Sequence, residues 1–167
     1  MQTELIPLSP DDGRDVYAML QEIPADENGF VNHFHGVSFD EYRERLAKAH
    51  DESQQDGIVD GWKVPQTIYW LYADGKPAGM CKLRHMLTDK LLVSGGHIGY
   101  AIRPTMRGQG LGKQQLMLAL DEARRLGIDR VLVTTEPDNI ASQRVALACG
   151  GKPEHLSPDK CRFWIDL

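Results

Sequence analysis

Arg107, Gly108, Gln109, Gly110, Leu111, Gly112 and Lys113 follow one another without interruption, and residues of these types in this order can hold a phosphate. The run stands after a β-like stretch, 97–103, in which Ile98, Tyr100 and Ile102 alternate with His97, Gly99 and Ala101 until Pro104 stops it. Helix-prone QQLMLALDEARRLG comes straight after. A strand, a tight glycine turn and a helix gather free backbone N–H groups and the positive end of a helix dipole at one spot. That spot suits a phosphate or pyrophosphate. A Cβ in the turn would hold the ligand off the amides, and Arg107 and Lys113 flank it with positive charge; Arg pairs with phosphate through two parallel hydrogen bonds.

Groups able to move a proton beside this turn are few. His97 opens the central strand and titrates near neutrality. By alternation it shares a face with the small Gly99 and Ala101, which leaves room for a substrate. Its structural reading is a polar residue at a strand mouth. Glu136 lies just past the next strand, where it is either a base at the edge of a cleft or a solvated loop acid. His85, at the end of a hairpin, is more remote. Cys149 precedes Gly150 at a helix end with no His near it in sequence, so it reads as a packing residue. His33-x-His35 lacks a distinct carboxylate or Cys partner, and no metal site is expected.

Two phosphate motifs can be set aside. A Walker A loop needs Gly six residues before its Lys and Ser or Thr after it, whereas positions 107 and 114 are Arg and Gln. The dinucleotide spacing GxGxxG fails too, since the third glycine would fall on Lys113 or Gln115. What remains, Arg107-x-x-Gly110-x-Gly112 after a strand that ends in Pro, resembles the acetyl-CoA signature of the GCN5-related N-acetyltransferase (GNAT) superfamily. GGHIGYAIRP, with DNIAS and CGG further on, is most similar to a branch of acetyltransferases inferred from sequence, with substrates generally unassigned.

The resemblance is specific over residues 97–151, and it implies roles. The amides from Gly108 through Lys113 would hold the CoA pyrophosphate. The end of the preceding strand, Tyr100, Ala101 and Ile102, would hydrogen-bond the pantetheine and the thioester carbonyl. Asn139, Ser142 and Gly150 stand where the family often has an Asn, a small residue and a helix-ending Gly. Two positions depart from it. Position 146, where many members carry a Tyr that protonates the leaving thiolate, is Ala, and Gly151 replaces a usual aromatic.

These groups need a frame to bring them together. The first strand is expected at residues 3–8, and Ser9-Pro10-Asp11-Asp12 reads as a helix start, with Val16, Met19, Leu20 and Ile23 on one face and Pro24 as the stop. The polar ADENGFVNHFHGV reads as a loop. Ser38 and Glu41 form a capping box for a second helix carrying Phe39, Tyr42, Leu46 and Ala49, followed by a loop, HDESQQDG. QTIYWLY and KPAGMCKLRH, joined by Asp74-Gly75, read as a hairpin with a type I′ turn. The connection after it has room for a short strand at 91–93. The glycine turn leads into a helix from about 110 to 126, with Leu116, Leu120, Ala123 and Leu126 as its buried stripe and Gly127 closing it. RVLVTT is a buried strand, Asp138 or Asn139 caps the last helix, and CRFWID is the last strand.

The order predicts an α/β protein of the mixed α+β kind: a mostly antiparallel sheet, helices on both faces, and a right-handed crossover between 97 and 135. The GNAT resemblance adds that the strands at 97–103 and 130–135 splay apart around the cofactor. At 167 residues, one domain is expected. A formal charge of -5 excludes the basic footprint of a general nucleic-acid binder and is compatible with a cationic amine. Three scattered cysteines form no CxxC pair or disulfide framework. With no signal-like or membrane-length apolar run, a cytoplasmic enzyme is the expectation.

The expected activity is acetyl transfer from acetyl-CoA to a primary amine of a small-molecule or peptide acceptor, by direct attack in a ternary complex. A non-catalytic acyl-CoA-binding or regulatory domain is the alternative that Ala146 favours. A longer acyl chain or a non-amine acceptor is a third. No metal, nucleic-acid or membrane partner is expected. A homodimer through the exposed edge of the terminal strand is a further expectation.

Overall fold

The structure is a computed structural model that describes residues 1–54, 60–154 and 159–167. Strands β1 (Thr3–Pro7), β4 (Gln66–Ala73), β5 (Lys76–Arg84) and β6 (Ile98–Ile102) form an antiparallel sheet in the order β1-β4-β5-β6. A second sheet, β7-β9-β8, is built from β7 (Arg130–Thr135), β9 (Cys161–Asp166) and β8 (Lys152–Glu154). The mixed fold with helices on both faces is as expected. On one face α4 (Leu111–Arg125) and α5 (Ile140–Ala148) bury Leu116, Ala119, Leu120, Ala123 and Ala146 against Cys81, Leu83, Val131, Val133 and Phe163. On the other, α1 (Arg14–Glu22) and α2 (Phe39–Gln54) bury Met19, Leu20, Tyr42 and Leu46 against Ile68, Trp70 and Met80. The Trp70 indole N–H reaches Asp12 at 2.7 Å, which satisfies the polar atom of a fully buried ring.

Local chemistry explains where the sequence reading and the structure part. Helix α1 begins at Arg14, because Ser9 and Asp12 bond each other's turn instead of starting a helix. In 24–37, read as a loop, a small hairpin joins β2 (Asp26–Glu27) to β3 (Phe30–Val31). Its turn is Asn28-Gly29, both at positive φ (53° and 81°), the conformation a type I′ turn requires. The 91–93 segment is helical, not a strand: α3 (Asp89–Val93) is capped by Thr88, whose side chain accepts from the Leu91 N–H. Leu126, placed in the buried stripe of α4, is 47% exposed; Leu111 and Ala119 take its place in the core. The second helix runs on to Gln54, so of the expected HDESQQDG loop only residues 55–57 remain, and these lie outside the described residues. The terminal strand β9 is no free edge, since β7 pairs along it and β8 covers Arg162 to Trp164.

The two sheets meet at one point. The His97 N–H donates to Leu132 O at 2.8 Å, and Gly95 N–H donates to the Thr134 hydroxyl at 3.0 Å. The backbones approach so closely there that a Cβ on Gly96 would sit 2.5 Å from Leu132 O. From Ile98 onward β6 and β7 belong to different sheets. The resulting opening is the cleft described next.

Candidate functional site

A cleft of about 560 Å³ runs from the glycine turn, between β6 and β7, to the floor of β5. It brings together Tyr100, Ala101, Ile102, Arg107, Gly108, Gly110, Leu111, Gly112, Lys113, Asn139, Ser142 and Glu136; Gln109 and His97 do not line it.

The turn end is shaped by backbone. Gly108 and Gly110 lie at φ 79° and 78°, and no atom comes within 4 Å of where a Cβ would be. Gly110 is the N-cap of α4 and offers no side-chain cap. Among the described residues no acceptor takes the N–H groups of residues 108–113, so the first turn of α4 presents its amides to the cleft. This is a cradle with room and donors for an anionic phosphate group. Asn139 caps α5, its Oδ1 accepting from Ser142 N–H at 3.3 Å, and brings a second helix start to the same place. The Tyr100 hydroxyl stands 3.4 Å from the Ser142 hydroxyl, and burial pushes its phenol up to about 12, so it stays protonated.

The walls are the facing edges of β6 and β7. The bonds from Arg84 N–H to His97 O and from Arg103 N–H to Ala78 O fix the parity of β6. In an antiparallel ladder this turns the backbone groups of odd positions toward β5 and those of Ile98, Tyr100 and Ile102 toward the opening. Ala101 O accordingly lies beside Gly79, so Ala101 meets the cleft through its side chain only. Thr135 Oγ1 is buried at 4% residue exposure, lines the cleft and has no partner among the described residues.

His97 has to be corrected as a candidate base. It is buried where the strands meet, and its Nδ1 accepts the Leu132 N–H at 3.0 Å. The neutral ring that makes this bond carries its proton on Nε2 and has no free lone pair for a substrate. Burial, with Arg84 nearby, lowers its pKa to about 4. The residue clasps the two sheets. Glu136 lines the cleft just past β7, in an ion pair with Lys160, and is partly exposed. Arg107 sits at the turn, but its guanidinium is bound by Glu27 of β2 at 2.6 Å and its Nε donates to Ile102 O at 3.0 Å. In this structure its partner is a carboxylate, and the N-terminal hairpin is thereby tied to the cleft. Ala146 packs in the core with Phe163, and Val145 is the residue of that turn that reaches the cleft.

Sequence reasoning missed Lys82 and Arg84. Both project from β5 into the end of the cleft away from the turn. Lys82 is 8% exposed, donates to Val31 O and lies over the Phe30 ring at 5.0 Å. Burial, reinforced by Arg84, lowers its pKa to about 8. Arg84 donates to Gly95 O and Gly96 O at 3.2 Å each. The signal was present in KPAGMCKLRH: a charged residue between Cys81 and Leu83 within an otherwise apolar strand.

With the geometry in place, the family comparison gives the class, and the solved structures share the fold. The model of the acetyltransferase (GNAT) domain matches residues 2–152, and the chain belongs to that family, whose members use acetyl-CoA. Among solved structures, it is similar to RimL, a ribosomal L7/L12 alpha-N-protein acetyltransferase in complex with coenzyme A: 18% identity, TM-score 0.73, covering 100% of this chain and 95% of that one. The GNAT domain of S. lividans PAT gives 14% identity and a TM-score of 0.67 over 99% of this chain and 90% of that one. Campylobacter jejuni N-acetyltransferase PseH gives 10% and 0.65 over 98% and 97%. No match was found among curated protein sequences. Among the described residues no helix is long and apolar enough to cross a membrane, and no cluster of His, Cys, Asp and Glu is arranged to hold a metal.

Proposed function

We propose that the protein is an acetyl-CoA-dependent N-acetyltransferase that acts on a primary amine by direct attack within one cleft. The carrying observation is the open glycine turn, with its unpartnered amides, at one end of a slot between two separated strand edges. A pyrophosphate fits the amides of residues 108–113, with Lys113 beside them. An extended amide-bearing arm fits the free edge of β6 at Tyr100 and the orphan hydroxyl of Thr135. When bound, acetyl-CoA supplies an activated acetyl group.

The chain's own residues then have three tasks. The amine must lose its proton, since a free alkylamine has a pKa of about 10.4. Glu136, held at the cleft mouth by Lys160, is the base we assign, directly or through water. The backbone N–H of Tyr100 faces the opening and is placed to donate to a developing oxyanion. The departing thiol, with an ordinary pKa of about 8.5, needs little help, and the protonated Tyr100 hydroxyl is the donor we assign at the cofactor end.

Acetyl-CoA consumption over a panel of primary amines tests this reading. Turnover with any amine, lowered about 100-fold in Glu136→Gln with CoA affinity retained, is the expected result. Binding of CoA with no turnover over a broad panel would favour a non-catalytic acyl-CoA-binding domain.

A further inference from the structure

The end of the cleft remote from the glycine turn has an unbalanced charge. Its floor is Lys82 and Arg84 on β5, its roof Phe30 and Val31 of the N-terminal hairpin, and its outer wall Glu136 with Lys160. Among the described residues the single carboxylate lining this end, Glu136, is committed to Lys160. Glu27, the other acid along the cleft, is committed to Arg107. The hydrogen-bond acceptors of Lys82 and Arg84 among the described residues are main-chain carbonyls. Among the described residues no acid pairs with either.

A buried Lys82 beside a half-buried Arg84, with no anion, is costly, because each loses water and repels the other. A carbonyl accepts a hydrogen bond without neutralising the charge. Lys82 has three donors, and only one has an acceptor; at 8% residue exposure, the others have little water to turn to. The guanidinium of Arg84 uses only one nitrogen, Nη1. Free donors therefore converge on the cleft from neighbouring alternate positions of one strand. The face is the one that carries Gly99, where the absence of a side chain leaves space for Phe30 to close over Lys82.

We infer that Lys82 and Arg84 form an anion site for the acceptor, so that the amine to be acetylated carries an oxyanion group, a carboxylate or a phosphate, elsewhere in the same small molecule or peptide. This rests on the acetyltransferase reading and deepens it: the turn end holds the acyl donor, and the β5 end selects the acceptor by negative charge. The net charge of -5 therefore describes the outer surface, not the pocket.

The test uses acetylated probes, whose binding needs no turnover. The full-length protein, with and without saturating CoA, is titrated with two matched pairs. N-acetylglycine against N-acetylglycinamide probes the carboxylate, and N-acetylethanolamine phosphate against N-acetylethanolamine probes the phosphate. The charged member of at least one pair should bind about tenfold or more tightly than its neutral partner, as expected for charge-assisted hydrogen bonds. The pair that shows the preference identifies the anion. In Lys82→Met and Arg84→Gln that preference should collapse toward unity while CoA affinity stays within about twofold. Once an acceptor is found, the same changes should raise KM for it more than they lower kcat. Equal or absent binding of the charged members in the wild-type protein would overturn the inference, and so would a preference that survives in both variants. A loss confined to kcat would assign Lys82 to proton transfer instead and would equally overturn it. Failure of CoA itself to bind would refute the acetyltransferase reading, and it is scored separately from the pairwise comparison.

Discussion

At the turn end of the cleft the positive potential comes from main-chain amides and a helix start, and at the β5 end from two cationic side chains, one buried and one half-buried. The first kind of site is assembled from consecutive residues, Gly108 to Lys113, and needs only glycine at positive φ and a helix to follow. The second is assembled across the sheet, from β5, the N-terminal hairpin and the segment after β7. Backbone donors carry no net charge and cannot be neutralised by a neighbouring acid, so the turn reads the pyrophosphate group and leaves the choice among pyrophosphate ligands to the slot beyond it. Side-chain cations are adjustable one residue at a time, which suits the end that has to choose an acceptor. At the β5 end, where Arg84 N–H donates to His97 O, the clasp of His97 and Leu132 fixes where the strands part.

The contrast can be broken at either end, and the largest effect is expected at the turn. Gly112 has ordinary helical space around its Cβ position, with Tyr100 and Val145 at 3.7 Å, and an acid in a first helical turn favours the helix. Gly112→Asp should therefore fold normally yet lose CoA affinity on the order of 1,000-fold, since an added charge in contact with a phosphate costs about 4 kcal/mol near a protein surface. Calorimetry together with a melting curve checks both halves.

Next comes the clasp. The unfolded chain protonates His97 near the ordinary value of 6.5, the folded chain only near about 4. Acid between these values binds the unfolded state preferentially, so this stability is complete above about pH 6.5 and lost as the pH falls toward about 4. The loss amounts to about 3 kcal/mol by linkage. Urea midpoints across that window should fall less steeply for His97→Gln than for the wild-type protein; parallel profiles would remove the clasp from the account.

Glu136→Gln should lower kcat/KM by about 100-fold, the usual scale for a general base, and leave CoA binding alone. A matching loss in CoA affinity would move Glu136 from the acceptor end to the donor end. The smallest expected effect is that of Asn139→Ala, which removes the α5 cap and should cost about 1 kcal/mol in thermal unfolding.

The same contrast explains what could be read from the chain. The turn was legible because its chemistry is local: strand, glycines and helix are adjacent in sequence, and the family resemblance rests on them. Most core strands were legible too, since the apolar run or alternation of 66–73, 98–102 and 130–135 is itself the burial signal. The anion site was not. Lys82 and Arg84 lie some twenty to thirty positions before the turn, and only the pairing of β5 with β6 brings them beneath the cleft. The hairpin that roofs them announces itself only by Asn28-Gly29, between strands too short to show a period. His97 illustrates the limit of alternation. Parity gave the face of the ring but not the arrival of Leu132 N–H, which takes the lone pair a base would need.

The central claim is that the glycine turn and the slot beyond it receive CoA. Titration calorimetry of the wild-type protein with acetyl-CoA, CoA and NADH addresses it most directly. Saturable binding of both CoA species, with none of NADH, is the result this account requires, because NADH brings a pyrophosphate but no pantetheine arm for the edge of β6. Absence of CoA binding by a folded sample, or equal binding of NADH, would contradict it.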